Sequence, residues 1–96
     1  MKQSKVFTLY VGLNDKDTKK QIVPTKKAKD IIIRVCGDCT ISNATGHWGG
    51  GTEKTLRVEL FEKADNQVVS YCEQLKRVLN QNCIAVNTQT VMTDFI

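Results

Sequence analysis

The sequence predicts an α+β domain in which two helices cover one face of a four-stranded antiparallel sheet. Three observations predict this fold class. Apolar and polar residues alternate along two segments of the 96-residue chain, and apolar residues recur every three to four positions along two others. With two further β-prone stretches, the segments follow in the order β-α-β-β-α-β. The length and the hydrophobic content of 41% suit one core, so we expect residues 1–96 to form a single domain.

The first strand is predicted over Val6–Leu13, because every second residue from Phe7 onward is apolar. Asn14–Gln21 is polar and highly charged, and we interpret it as a solvated connection rather than a site.

Pro24 suits the first turn of a helix, and Gly37 suits its end. Between and just beyond them, apolar residues recur at helical spacing and predict a buried stripe: Ala28, Ile31, Ile32, Val35, Cys36 and Cys39.

A polar edge strand is predicted over Thr40–Thr45, and a glycine-rich loop over Gly46–Lys54. The loop leads into Thr55–Phe61, the clearest strand of the chain. In that strand Leu56, Val58 and Leu60 point one way, and Thr55, Arg57, Glu59 and Phe61 point the other.

Asp65 is a good N-cap for a second helix, which Asn80–Asn82 would stop. The last strand begins at Cys83–Val86 and continues toward Val91, and the apolar tail Met92–Ile96 is expected to dock on the domain. The predicted buried stripe of the helix is Val68, Val69, Cys72, Leu75, Val78 and Leu79.

Short links and right-handed crossovers turn this element order into the ferredoxin-like split βαβ arrangement, with sheet order 4-1-3-2. Both helices then cover one face of the sheet. The other face is partly apolar, which favours a partner surface, and it carries Val6, Thr8, Tyr10, Arg57, Glu59 and Phe61. We expect a homodimer or homotrimer that uses Tyr10, Arg57 and Phe61.

The charge of the chain favours an anionic ligand but not a histone-like protein. Its net charge is +4 and its isoelectric point about 9.0. Residues 1–48 hold nine Lys and Arg against four acids, a net charge of +5, whereas residues 49–96 hold five against six, a net charge of −1. No stretch is long and apolar enough for a membrane span, so we expect a cytoplasmic protein with four reduced cysteines.

No complete catalytic or metal motif is present, so we expect no catalytic residue, no metal and no cofactor. Cys36 and Cys39 form a C-x-x-C pair, but the pair closes a helix, where the helix dipole opposes a thiolate. We interpret all four cysteines as structural, with a zinc site or redox chemistry as the alternatives. His47 lacks a carboxylate or nucleophile at a known triad spacing.

The glycine loop is the candidate ligand site. Consecutive glycines let backbone N–H groups converge on an anion, and Trp48 offers a flat surface for a base. The candidate residues are His47, Trp48, Gly49, Gly50, Gly51, Thr52 and Lys54. The alternative is a hairpin tip in which the glycines only permit the turn.

Leu9–Asn14 resembles the first-strand motif of RNA-recognition motif domains, with Tyr10 at the position of a stacking aromatic residue. The third strand departs from that family, because it lacks the Lys/Arg-Gly-aromatic pattern and carries Glu59. Binding of single-stranded RNA is therefore the least favoured of three functions.

In element order, size and the position of the loop between strands two and three, the chain is similar to small oligomeric proteins of the PII and CutA type. The resemblance implies a cyclic homo-oligomer with ligand clefts between subunits, near that loop. The favoured function is a non-enzymatic module that binds a nucleotide or nucleotide-derived signal. It would sense or sequester that ligand, as a phage accessory protein could. The alternative is a protein-interaction module that docks through the open sheet face.

Overall fold

The computed structural model describes residues 2–96, and its elements follow the predicted order. The four strands form one sheet in the order β2-β3-β1-β4, and every neighbouring pair is antiparallel. The ferredoxin-like α+β fold and its sheet order are therefore confirmed. Within residues 2–96, neither helix is long and apolar enough to cross a membrane. The elements are β1 (Lys2–Gly12), α1 (Thr25–Cys36), β2 (Thr40–Trp48), β3 (Gly51–Phe61), α2 (Asp65–Val78) and β4 (Ala85–Thr93).

The core lies between the helices and one face of the sheet, here called the helix face. Leu9 of β1 is paired with Val58 of β3, and both side chains are fully buried beneath Ile32 of α1 and Leu75 of α2. Removing a side chain of this size from water contributes about 1.5–3 kcal/mol. Because side chains alternate along β1 and β3, the residues between the buried ones point to the opposite side of the sheet, here called the open face.

The buried stripe of α2 is narrower than predicted. Val68, Cys72 and Leu75 are buried, but Val69 is 61% exposed and Val78 is 56% exposed. The prediction was wrong for these two valines because each lies next in sequence to a buried residue. One helical residue is a rotation of about 100°, which turns both away from the core.

The segment predicted as a loop over Gly46–Lys54 is a tight hairpin. β2 continues to Trp48, which pairs with Gly51 at the start of β3. Only Gly49 and Gly50 remain as the turn, with φ of 56° and 82°, a region that glycine adopts without strain. The prediction of a loop was therefore wrong, because the hairpin register extends to the turn.

The tail after β4 crosses the open face. The ring of Phe95 meets the ring of Phe61 edge-on, with 6.2 Å between the ring centroids. Phe61 belongs to β3, and β1 separates β3 from β4 in the sheet. The tail therefore passes over β1, where Val6 is buried on the open face. Met92 and Thr93 of the predicted tail belong to β4, and Phe95 contacts the domain through this ring pair while its side chain stays 76% exposed.

Candidate functional site

A groove of about 720 Å³ lies on the open face, at the end of the sheet where β2 turns into β3. Four parts of the chain form it. Tyr10 comes from β1, Trp48 from the β2–β3 hairpin, and Lys16 and Lys19 from the loop after β1. The fourth part is the segment 81–83 between α2 and β4. The groove therefore combines two aromatic rings with two cationic side chains.

The indole of Trp48 is folded back over Gly46. A Cβ atom at Gly46 would lie 2.6 Å from Oγ1 of Thr55 and 3.2 Å from Cε2 of Trp48, so a side chain there would displace the ring. Despite this contact, Trp48 remains 59% exposed. The indole is thus held against the sheet by one part of its surface and is available to a ligand by another.

The carboxylate of Glu53 lies against the backbone of Gly12. A Cβ atom at Gly12 would overlap Oε1 of Glu53 and would lie 2.6 Å from Cδ and 2.7 Å from Oε2. Oε2 accepts a hydrogen bond of 2.9 Å from the backbone N–H of Asn14. Within the described part of the chain, Oε1 has no hydrogen-bond or ion-pair partner. One oxygen of this half-buried carboxylate is therefore held in place, and the other is free.

Thr55 lies in the groove between these two contacts and carries an unpaired hydroxyl. The residue is 3% exposed, and its Oγ1 has no hydrogen-bond partner among residues 2–96. An unsatisfied buried hydroxyl costs about 1–3 kcal/mol. A free-energy cost of this kind inside a groove is typical of a binding site, where residues are arranged for function at some expense of stability.

The loop after β1 is structured, although the sequence indicated a solvated connection. Asn14 and Gln21 form an antiparallel bridge. Oδ1 of Asp15 accepts hydrogen bonds of 2.9 Å from the backbone N–H groups of Asp17 and Thr18. The side-chain amide of Asn80 donates to Oδ2 of Asp15 at 2.6 Å, and this bond is the largest cause of the lowered pKa of Asp15. The loop is thereby anchored to Asn80, the second residue beyond the end of α2.

This loop places two cations beside the groove. Lys16 and Lys19 both line it, and neither ammonium group forms an ion pair with any described residue. Lys19 adopts a φ of 62°, which is uncommon for a residue other than glycine. Strained residues of this kind cluster at ligand sites. The loop is held in a conformation that keeps both charges available.

The structure brings only some of the candidate residues to the groove. Trp48, Gly49, Gly51 and Thr52 line it, whereas Gly50 does not. His47 and Lys54 lie on the helix-face side of the hairpin, since they alternate with the open-face residues.

His47 has a local partner there, because its Nδ1 lies 3.3 Å from Oγ1 of Thr52. Tyr10, which the sequence suggested for a subunit interface, also lines the groove. Sequence reasoning missed Gly12, Lys16, Lys19 and Glu53. The signal available for the lysines was the excess of positive charge in residues 1–48.

The C-x-x-C pair lies at the C-terminal end of α1, away from the groove. Burial, with smaller contributions from the nearby Cys39 and Cys72, raises the pKa of the Cys36 thiol to about 12. Burial also raises the pKa of Cys39. All four cysteines are free thiols. In residues 2–96, no three or more His, Cys, Asp or Glu side chains are grouped as a metal site would require.

Comparisons with known proteins identify no family. No family model matches the chain, and no curated protein is significantly similar to it. Among solved structures, the chain is similar to a de novo designed protein, Foldit4, with 14% identity and a TM-score of 0.46 over 95% of this chain and 99% of that chain. The resemblance to the PII and CutA type therefore stays a prediction.

Proposed function

We propose that this chain is a non-enzymatic module that binds a nucleotide or a nucleotide-derived anion in the open-face groove, to sense or to sequester it. The observation that carries the proposal is the groove itself. It joins the rings of Trp48 and Tyr10 to the ammonium groups of Lys16 and Lys19, which form no ion pair with residues 2–96. A nucleotide has the matching chemistry, because it joins a flat base to an anionic phosphate.

Trp48 supplies the stacking surface in this proposal. Stacking of a base on an aromatic side chain is worth about 1–3 kcal/mol. The indole is already fixed over Gly46, so little conformational freedom is lost when a base binds. Tyr10 is half-buried on the neighbouring strand and adds a second aromatic contact.

Lys16 and Lys19 supply the charge in this proposal, in place of the Lys54 that the sequence suggested. The nearby carboxylate of Asp15 does not compete strongly for them, because it already accepts three hydrogen bonds. Glu53 lies against Gly12, so we expect the phosphate to bind at the lysine side of the groove and the base to bind nearer Glu53.

Titration with nucleoside monophosphates tests this proposal. Trp48 is the only tryptophan of the chain, so its fluorescence reports on the groove directly. We expect a stacked base to quench it. In calorimetry, the Lys16→Ala, Lys19→Ala double variant should bind at least about ten-fold more weakly, since even one charge-assisted hydrogen bond is worth about 1.5 kcal/mol or more.

Lys54→Ala is the matched control, because it removes the same kind of charge from the opposite face of the hairpin. We expect it to leave affinity nearly unchanged. If each lost lysine weakened nucleotide binding by the same factor in both variants, affinity would depend on the net charge of the protein and not on the groove. Absence of any fluorescence change at millimolar nucleotide would contradict the proposal.

A further inference from the structure

We infer that Glu53 is a specificity-determining residue, and that it accepts paired hydrogen bonds from two adjacent donors of the ligand. This inference rests on the proposed function and concerns the same groove. It names the chemistry that the site selects, namely neighbouring N–H or O–H groups rather than acceptors.

The first argument is that the carboxylate is held in place. Gly12 leaves the space that it fills, and the backbone N–H of Asn14 binds Oε2 at 2.9 Å. Oε1 has no partner among residues 2–96, and Oε2 retains a lone pair. A fixed carboxylate with open lone pairs selects donors, because an acceptor in the same place is repelled.

The second argument is a contrast between the carboxylates of the groove. Asp15, the other carboxylate that lines the groove, already accepts three hydrogen bonds. Glu53 is therefore the groove carboxylate that keeps an open acceptor for a ligand.

Two parts of a nucleotide offer two adjacent donors. Guanine presents N1–H and N2–H side by side, which matches a carboxylate that accepts two hydrogen bonds. Adenine presents an acceptor, N1, beside its amino group. The 2′,3′-diol of ribose is the other source of paired donors, and carboxylates bind ribose hydroxyls in nucleotide sites.

Calorimetric titration of the whole chain with GMP, IMP, AMP and 2′-deoxy-GMP tests the inference. IMP lacks the N2 amino group, and 2′-deoxy-GMP lacks one hydroxyl of the diol. If Glu53 binds the guanine edge, GMP should bind about ten-fold more tightly than AMP, and IMP should lie between them. The expected ratio of affinities is modest because the carboxylate is only half-buried. If it binds the diol, the loss should appear with 2′-deoxy-GMP instead.

Glu53→Gln should abolish either preference, because the amide replaces one acceptor by a donor. Glu59→Gln is the matched control, since it makes the same change on β3 outside the groove. Gly12→Ala should also reduce the preference, because its Cβ displaces the carboxylate without removing it.

Equal affinity ratios in the native protein and Glu53→Gln would overturn the inference while leaving nucleotide binding intact. Binding of none of the four nucleotides would overturn the proposed function and the inference together.

Discussion

At the residue scale, the unpaired hydroxyl of Thr55 has a consequence for stability. Thr55→Val keeps the shape of the side chain and removes the unsatisfied group. We expect the free energy of unfolding to rise by about 1 kcal/mol, because no hydrogen bond is lost and a desolvation cost is removed. Urea unfolding measures this change.

Ser4→Ala is a useful parallel, since Ser4 has the other buried hydroxyl without a partner in the described chain. It should change stability in the same direction. A loss of stability in Thr55→Val would show that the hydroxyl has a partner in solution, and it would weaken the interpretation of Thr55 as part of a ligand site.

At the element scale, the loop after β1 depends on one residue beyond α2. Asn80 donates to Asp15 at 2.6 Å and to Asp17 at 2.9 Å, and it adopts a φ of 50°. Asn80→Gly suits that backbone conformation and removes only the amide. The pKa of Asp15 should then rise toward its ordinary value of 3.8, because the bond from Asn80 is the largest cause that lowers it. Carboxyl titration by NMR measures this change.

The sign of the pH dependence follows from the lowered pKa. The folded state holds Asp15 ionised more strongly than the unfolded chain does, so its contribution to stability is present above pH 3.8 and is lost as pH falls below that value. Asn80→Gly should remove this acid-dependent contribution. An unchanged pKa of Asp15 in the variant would mean that the backbone N–H of Thr18 is sufficient to lower it.

The elements could be predicted from the sequence where their residues alternate or recur. Leu9 and Val58 lie on the predicted face, and the sheet order follows from short right-handed connections. The sequence indicated a hairpin tip only as the alternative to a ligand loop, and it did not indicate how far the strands extend. Four glycines in Gly46–Gly51 favour a long loop, whereas only Gly49 and Gly50 form the turn. Gly46 instead leaves space for the ring of Trp48, and the composition of the segment does not indicate this role.

At the scale of the whole molecule, the groove could not be predicted because its parts are far apart in sequence. Tyr10, Lys19 and Trp48 meet only after the sheet has formed. The sequence indicated Trp48 as a candidate ligand residue, and the structure places it in the lining of the groove. It indicated Lys54 as the charged partner from proximity in the chain, but a one-residue step along a strand reverses the face.

The exposed aromatic residues also bear on assembly. Trp48 is 59% exposed, Phe61 36% and Phe95 76%, and the first two lie on the open face. We expect a homodimer or homotrimer through this face, with Tyr10, Arg57 and Phe61 at the interface. Arg57→Glu should dissociate it, because Arg57 lies 3.8 Å from Glu59 and the variant would bury two neighbouring negative charges in the interface without a partner.

Sedimentation velocity at micromolar concentration measures this assembly. Lys54→Glu is the control, since it makes the same charge change on the helix-face side. A native chain that sediments as a monomer would contradict the expected assembly but not the ligand groove, which one chain forms by itself.

The most direct test of nucleotide binding in the groove is a titration of ¹⁵N-labelled protein with GMP, followed by two-dimensional NMR. The indole N–H of Trp48 gives a single resolved signal, because the chain has one tryptophan. We predict saturable shifts of that signal and of the amides of Tyr10, Gly12 and Lys19, with little change along α1 and α2. Saturable shifts confined to the helices, or none at millimolar GMP, would contradict the account.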